Sequence, residues 1–173
     1  MIRKTSCILF ALALAAGSGA AATVPVVDAP AAFERLKALE GNWESSRPGG
    51  QPAVTRFELV ANGTVLMEHY SNPAMPGGGH MVSAYHLDGD TLVLTHYCIA
   101  KNQPTLRADR FDAATGEIQF EFLRATNLPD QNTGHMRRAL YRLEGPNQFT
   151  TEWEFFRDGK KTMTERETFK RVK

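Results

Sequence analysis

Cysteine is nearly missing from this chain: 173 residues hold only Cys7 and Cys98. That count cannot support a disulfide framework. No CxxC, HExxH or aspartate-rich calcium loop occurs, so the common metal motifs are absent. Excess charge of one sign is missing too, with 20 Lys and Arg against 19 Asp and Glu. The balance leaves no electrostatic case for nucleic acid and no basic block for a membrane surface. Gly77-Gly78-Gly79 is followed by neither GKS nor GKT nor a helical pattern, so it is not a phosphate cradle. A flexible stretch at the mouth of a fold suits it better.

Long apolar runs are confined to the start. Arg3 and Lys4 precede Cys7-Ile8-Leu9-Phe10-Ala11-Leu12-Ala13-Leu14-Ala15-Ala16, and small residues follow up to Ala20-Ala21-Ala22. A charged segment, a short apolar segment and an A-x-A site read as a secretory signal over 1–22. The run is too short to cross a bilayer comfortably. Cleavage there leaves one domain, 23–173, of about 150 residues, enough for a real core. It also removes Arg3, Lys4 and Cys7, leaving 18 basic against 19 acidic residues. The expected compartment is the periplasm or the outside of the cell, with no transmembrane segment in the mature chain. Cys98 is then a lone thiol in an oxidising environment, which favours burial as a small hydrophobe over a reactive role.

Ala29 to Glu40 reads as one short helix, with Pro30 in its first turn, Phe33, Leu36 and Leu39 at helical spacing, and Gly41 to end it. Everything after Gly41 reads as strand and turn. Asn62-Gly63 joins Val54–Ala61 to Thr64–Tyr70 as a hairpin. Further strands fall at Thr105–Asp112, Glu117–Arg124, His135–Leu143, Gln148–Arg157 and Lys161–Val172, with turns at Pro48-Gly49-Gly50, Gly145-Pro146-Asn147 and Asp158-Gly159. The result is all-β: about ten antiparallel strands joined by short turns, closing into an up-and-down barrel that removes its own edges. A barrel of this size can hold a central cavity.

The stretch from His80 to Cys98 is a hairpin about Asp88-Gly89. A two-residue turn there sets Met81 opposite His96, Ser83 opposite Leu94 and Tyr85 opposite Leu92. Met81, Ser83, Tyr85, Leu87, Leu92, Leu94, His96 and Cys98 share the more apolar face, which belongs inside.

Leu39-Glu40 leads into Gly41-Asn42-Trp43 at the first strand, and the last strand ends in Lys170-Arg171. This resembles the calycin superfamily of lipocalins and fatty-acid-binding proteins. The resemblance implies structural roles for Gly41, Trp43 and Arg171, with the arginine packed across the indole at the closed end. The text around Leu94-Thr95-His96-Tyr97-Cys98 and Asn102-Gln103-Pro104 is similar to secreted bacterial lipocalin-like proteins of unknown function. The chain departs from classical lipocalins in having no second motif and no disulfide.

Inward rows of Phe57 and Leu59, of Ile118, Phe120 and Phe122, and of Phe149, Thr151, Trp153 and Phe155 alternate with polar partners. They either fill the barrel or line a pocket for an apolar or amphipathic molecule. Candidate ligand contacts are Tyr85, His96, Cys98, Asn102, Gln103, Arg110, Phe120, Phe122 and Trp153. His96 is a satisfied core histidine, a ligand partner, or a haem, metal or acid–base group. Arg110 reads as a surface charge; if inward, it needs a partner such as Glu165, Glu167 or an anionic ligand. Glu68 and Tyr70 alternate with Met67 and His69, and either pair can face inward. His80 and His86 lie roughly 20 Å apart along the strand, too far to share an ion. No residue is assigned as catalytic, and no cofactor is expected. The favoured reading is an exported small-molecule-binding barrel; the alternatives are an enzyme or haem/metal barrel using His96, and a filled interaction module.

Overall fold

The computed structural model describes residues 27–45 and 50–172. The expected signal, 1–22, lies outside them, as do residues 46–49 and with them most of the Pro48-Gly49-Gly50 turn. Ten antiparallel strands close into one barrel, each paired with its neighbours in sequence. Among the described residues one α-helix, α1 (Ala29–Lys37), precedes β1 (Gly41–Ser45), β2 (Val54–Val60), β3 (Val65–Ser71), β4 (Met81–Asp88) and β5 (Thr91–Tyr97). Then come β6 (Gln103–Asp112), β7 (Glu117–Thr126), β8 (His135–Leu143), β9 (Gln148–Arg157) and β10 (Lys160–Arg171). Closure is made by β1 against β10, with Trp43 opposite Arg171 and Ser45 opposite Phe169.

The helix starts on Asp28, whose side chain accepts the Ala31 amide at 3.0 Å, with Pro30 in the first turn. It stops at Lys37, short of the expected Glu40, and the chain turns through Gly41 at φ +125°. Its buried side, Ala29, Ala32, Phe33 and Leu36, packs on β4, β5 and β6 and plugs that end of the barrel. The Trp43 indole donates to the Leu39 carbonyl at 2.7 Å, tying β1 to the helix exit. The Arg171 guanidinium lies 4.1 Å over the indole and donates to the carbonyls of Ala38, Glu40 and Pro146.

The half of the barrel next to α1 is solid. Trp43, Phe57, Phe149 and Phe169 pack as one aromatic group, with Phe149 and Phe169 stacked at 4.9 Å. Leu66, Leu92, Leu94, Leu106, Ile118 and Phe120 complete the core, all fully buried. The far end carries the β3–β4, β5–β6, β7–β8 and β9–β10 connections.

Two expectations change. The hairpin turn is Gly89-Asp90, not Asp88-Gly89: Asp88 stays in the strand opposite Thr91, and Gly89 alone takes a positive φ, +57°. Glycine at the first central position of a two-residue turn is the alternative hairpin solution. Ser83 therefore faces His96, and Tyr85 faces Leu94. The shift is two residues, so the inward face survives, whereas one residue would have inverted it. Leu87, beside the turn, is exposed. The second change is a bulge in β6 between Ala108 and Arg110. It takes Arg110 out of the Leu106–Ala108 row, opposite Gln119, and puts Phe111 opposite Ile118 and against the core. An inserted residue re-aims every side chain beyond it.

Candidate functional site

The open half of the barrel holds two adjoining spaces that share lining residues. The inner one is a chamber of about 30 Å³ lined by Glu68, Tyr70, Ser83, His96, Trp153 and Glu167, among others. A water needs about 10–15 Å³, so the chamber has room for about two or three waters. The outer one is a bowl of about 450 Å³, open to solvent, lined by Met75, Met81, Met136, Met163, Cys98 and Phe155, among others. Met81, Met136 and Glu165 line both spaces. Four of the six methionines of the chain thus converge on one cavity. Methionine is flexible and polarisable, and it adapts an apolar surface to varied shapes.

Below the chamber, Glu68 is fully buried in a polar cluster. Its Oε2 accepts from the Tyr85 hydroxyl at 2.5 Å and the Tyr141 hydroxyl at 3.1 Å, and its Oε1 accepts from Thr55 at 3.1 Å. The two tyrosine oxygens are themselves 2.5 Å apart. Burial pushes the Glu68 carboxyl up from its ordinary value of 4.5, and the four hydroxyls of Tyr85, Tyr141, Thr55 and Ser83 oppose that rise. Burial and the Glu68 charge push both tyrosines well above 10. This network braces the chamber floor, because a buried carboxyl is tolerated only when its lone pairs are used.

Ser83 Oγ lies 3.0 Å from His96 Nδ1. The His96 ring packs on Trp153 with centroids 4.8 Å apart. Its other nitrogen, Nε2, is buried and has no hydrogen-bond partner among the described residues. Burial lowers the imidazole to about 4, so it is neutral at pH 7. On the other wall, Tyr70 donates to Glu167 at 3.0 Å and accepts from Asn72 at 3.0 Å. Burial, with Glu165 and Glu167 beside it, pushes the Tyr70 phenol up.

The structure brings together only part of the expected contact set. His96 and Trp153 line the chamber and Cys98 lines the bowl. Cys98 is half-buried just past the end of β5, and burial raises its thiol. Tyr85 and Phe120 lie deeper, in the solid core. Phe122 sits against the His135 ring at 4.9 Å, under the Arg137 guanidinium at 5.1 Å. Asn102 is buried and donates to the Gly134 carbonyl at 2.8 Å, bracing two loops. Gln103 accepts from Thr126 at 2.9 Å. Arg110 is exposed and lies 3.9 Å from Glu117, not beside Glu165 or Glu167. Glu68, Tyr70, Ser83 and the four methionines were not in the expected set; strand alternation placed Ser83 and Met81 inward, but nothing in the sequence ranks them. Among the described residues, no group of three or more His, Cys, Asp or Glu side chains is arranged to hold a metal ion. No helix among them is long and apolar enough to cross a membrane.

No protein-family model matches this chain, and no curated protein matches it either.

Proposed function

We propose that this chain is an exported, calycin-like barrel that binds a small apolar or amphipathic molecule in its open end. The bowl of about 450 Å³, apolar and rich in methionine, carries this reading. That volume falls within the range of small-molecule sites, which are concave, mostly apolar and furnished with a few polar groups. The inner chamber supplies those polar groups, and the solid half beneath supplies a rigid base. Calycin character is supported by ten meandering strands, the leading helix, and Arg171 stacked over Trp43 where first and last strands meet. Export is supported by Arg3 and Lys4, the apolar run to Ala16 and the Ala20-Ala21-Ala22 site.

The test is native mass spectrometry of the protein purified from its own cell envelope, with an absorbance spectrum and the N-terminal residue of the same sample. The expected result is an adduct released on denaturation, no visible chromophore, and a chain that begins near Thr23. A clean unliganded mass, with no shift on exposure to hydrophobic probe molecules, would overturn the binding reading. A chain still beginning at Met1 would overturn export.

A further inference from the structure

We infer that the inner chamber is a site for one soft monovalent metal ion, Cu(I), taken by His96 Nε2 and the thioether sulfurs of Met81 and Met136 beside the Trp153 ring. The inference concerns the chamber. It goes beyond the reading of the bowl as an apolar-ligand site, and the two stand or fall separately.

The first observation is the state of the imidazole. The Ser83 hydroxyl is hydrogen-bonded to the buried Glu68 carboxyl and lies 3.0 Å from His96 Nδ1. A hydroxyl has a single proton to give. With Glu68 ionised, Ser83 gives that proton to the carboxylate and accepts from Nδ1–H, which leaves Nε2 its lone pair. Nε2 is buried, lines the chamber through its ring, and has no hydrogen-bond partner among the described residues. An imidazole oriented and made more basic from its far N–H is the usual form of a metal-binding histidine.

The second observation is what shares the space. Met81 and Met136, 7% and 5% exposed, line the same chamber of about 30 Å³. Ser83 is paired with His96 across β4 and β5, so Met81, two residues earlier on the same face, is the diagonal neighbour of His96 and within reach of a long side chain. Met136 enters from β8, next to β9, whose Trp153 packs on the His96 ring with centroids 4.8 Å apart. Methionine is unbranched, so its sulfur can swing towards a shared centre.

These donors choose the ion. A thioether is a poor hydrogen-bond acceptor but a soft metal ligand that selects Cu(I), and imidazole suits copper as well. All of these donors are neutral, and Cu(I) brings one charge into the buried space where a divalent ion would bring two. The indole of Trp153 favours a cation at its face. A space of about 30 Å³ holds an ion and excludes a haem. The bowl above it is the way in, and Met75 and Met163 line that path with further soft donors.

The test titrates the mature protein, without oxygen, with Cu(I) buffered by bicinchoninate, and in parallel with Ag(I) as a redox-inert stand-in. The expected result is one ion per chain, copper K-edge absorption with sulfur and nitrogen scatterers together, and methyl NMR signals of Met81 and Met136 that shift with the first equivalent of Ag(I). Met81→Leu and Met136→Leu conserve volume and so keep the fold. Each should weaken binding by about tenfold or more, and Ser83→Ala, which frees Nδ1, by about tenfold. Failure of the protein to take Cu(I) from bicinchoninate would overturn the inference. So would binding that survives both leucine variants but is abolished by Cys98→Ser, which would mark a lone surface thiol, or displacement of Ag(I) by Zn(II). A chain that takes no Cu(I) yet carries an organic adduct would leave the bowl reading in place.

Discussion

Arg171 lies 4.1 Å over the indole of Trp43, and the two are paired residues on the last and first strands of the barrel. One side chain therefore stacks on the ring at the seam and ties three backbone carbonyls, those of Ala38, Glu40 and Pro146. It joins the helix exit, the β8–β9 turn and both closing strands. Arg171→Ala should cost about 2–4 kcal/mol, the sum expected of a cation over an indole and charge-assisted hydrogen bonds. Arg171→Lys should recover only part of that, because a single ammonium cannot reproduce the guanidinium fork. Urea unfolding measures both.

Gly41 is coupled to the same arginine. At φ +125° a Cβ would come within 2.7 Å of Arg171 Nη1. Gly41→Ala should therefore lose about 1–3 kcal/mol from backbone strain. In the Arg171→Ala background it should lose less, since the clash is gone. A double-mutant cycle reads the difference, and additivity within about 0.5 kcal/mol would refute the coupling.

His96 titrates at about 4 in the folded protein against an ordinary 6.5. The unfolded chain thus binds the extra proton more readily between those values. The stability from keeping this ring neutral is fully present above pH 6.5 and is lost as pH falls towards 4. The whole difference is about 3 kcal/mol. His96→Phe should flatten that part of the stability–pH curve. Denaturation at pH 4.5, 5.5 and 7 should show the slope in wild type and not in the variant.

Glu68 works in the opposite sense. Its carboxyl is raised above 4.5 when folded, so the folded state holds the proton more tightly. Its contribution is present below 4.5 and is lost as pH rises through the elevated value. Glu68→Gln removes that loss, so the stability of the variant relative to wild type should improve as pH rises from 4.5. A constant difference across that window would show that the carboxyl does not titrate there.

Tyr85 and Tyr141 meet the same Glu68 oxygen and each other. Tyr85→Phe and Tyr141→Phe should each cost about 1–2 kcal/mol. Together they should depart from additivity, because the first deletion already releases the contact between the two hydroxyls.

Strand alternation, turn residues and the short helix made the barrel readable in advance. β8 and β9 fall where they were expected, at His135–Leu143 and Gln148–Arg157. Inward rows such as Ile118 and Phe120 were readable because a half-buried strand leaves a period of two in its own text. The Trp43–Arg171 contact was legible through resemblance alone, since no local pattern links residues so far apart in the chain. The Asp28 cap of α1 was missed, although an Asp ahead of a helical run is an ordinary start signal.

What the sequence determined by itself is everything that depends on neighbours along the chain: strand identity, inward faces and the meander. The tertiary structure decided the rest. A hairpin register and a β6 bulge are settled by pairing across strands, and they moved His96 opposite Ser83 and sent Arg110 outside. Closure of the barrel then determined which end is plugged by α1 and which opens between Met81 and Met136. Whether aromatic rows fill a space or line it depends on the width of that space at each level. That width is a property of ten strands taken together, and no single strand encodes it.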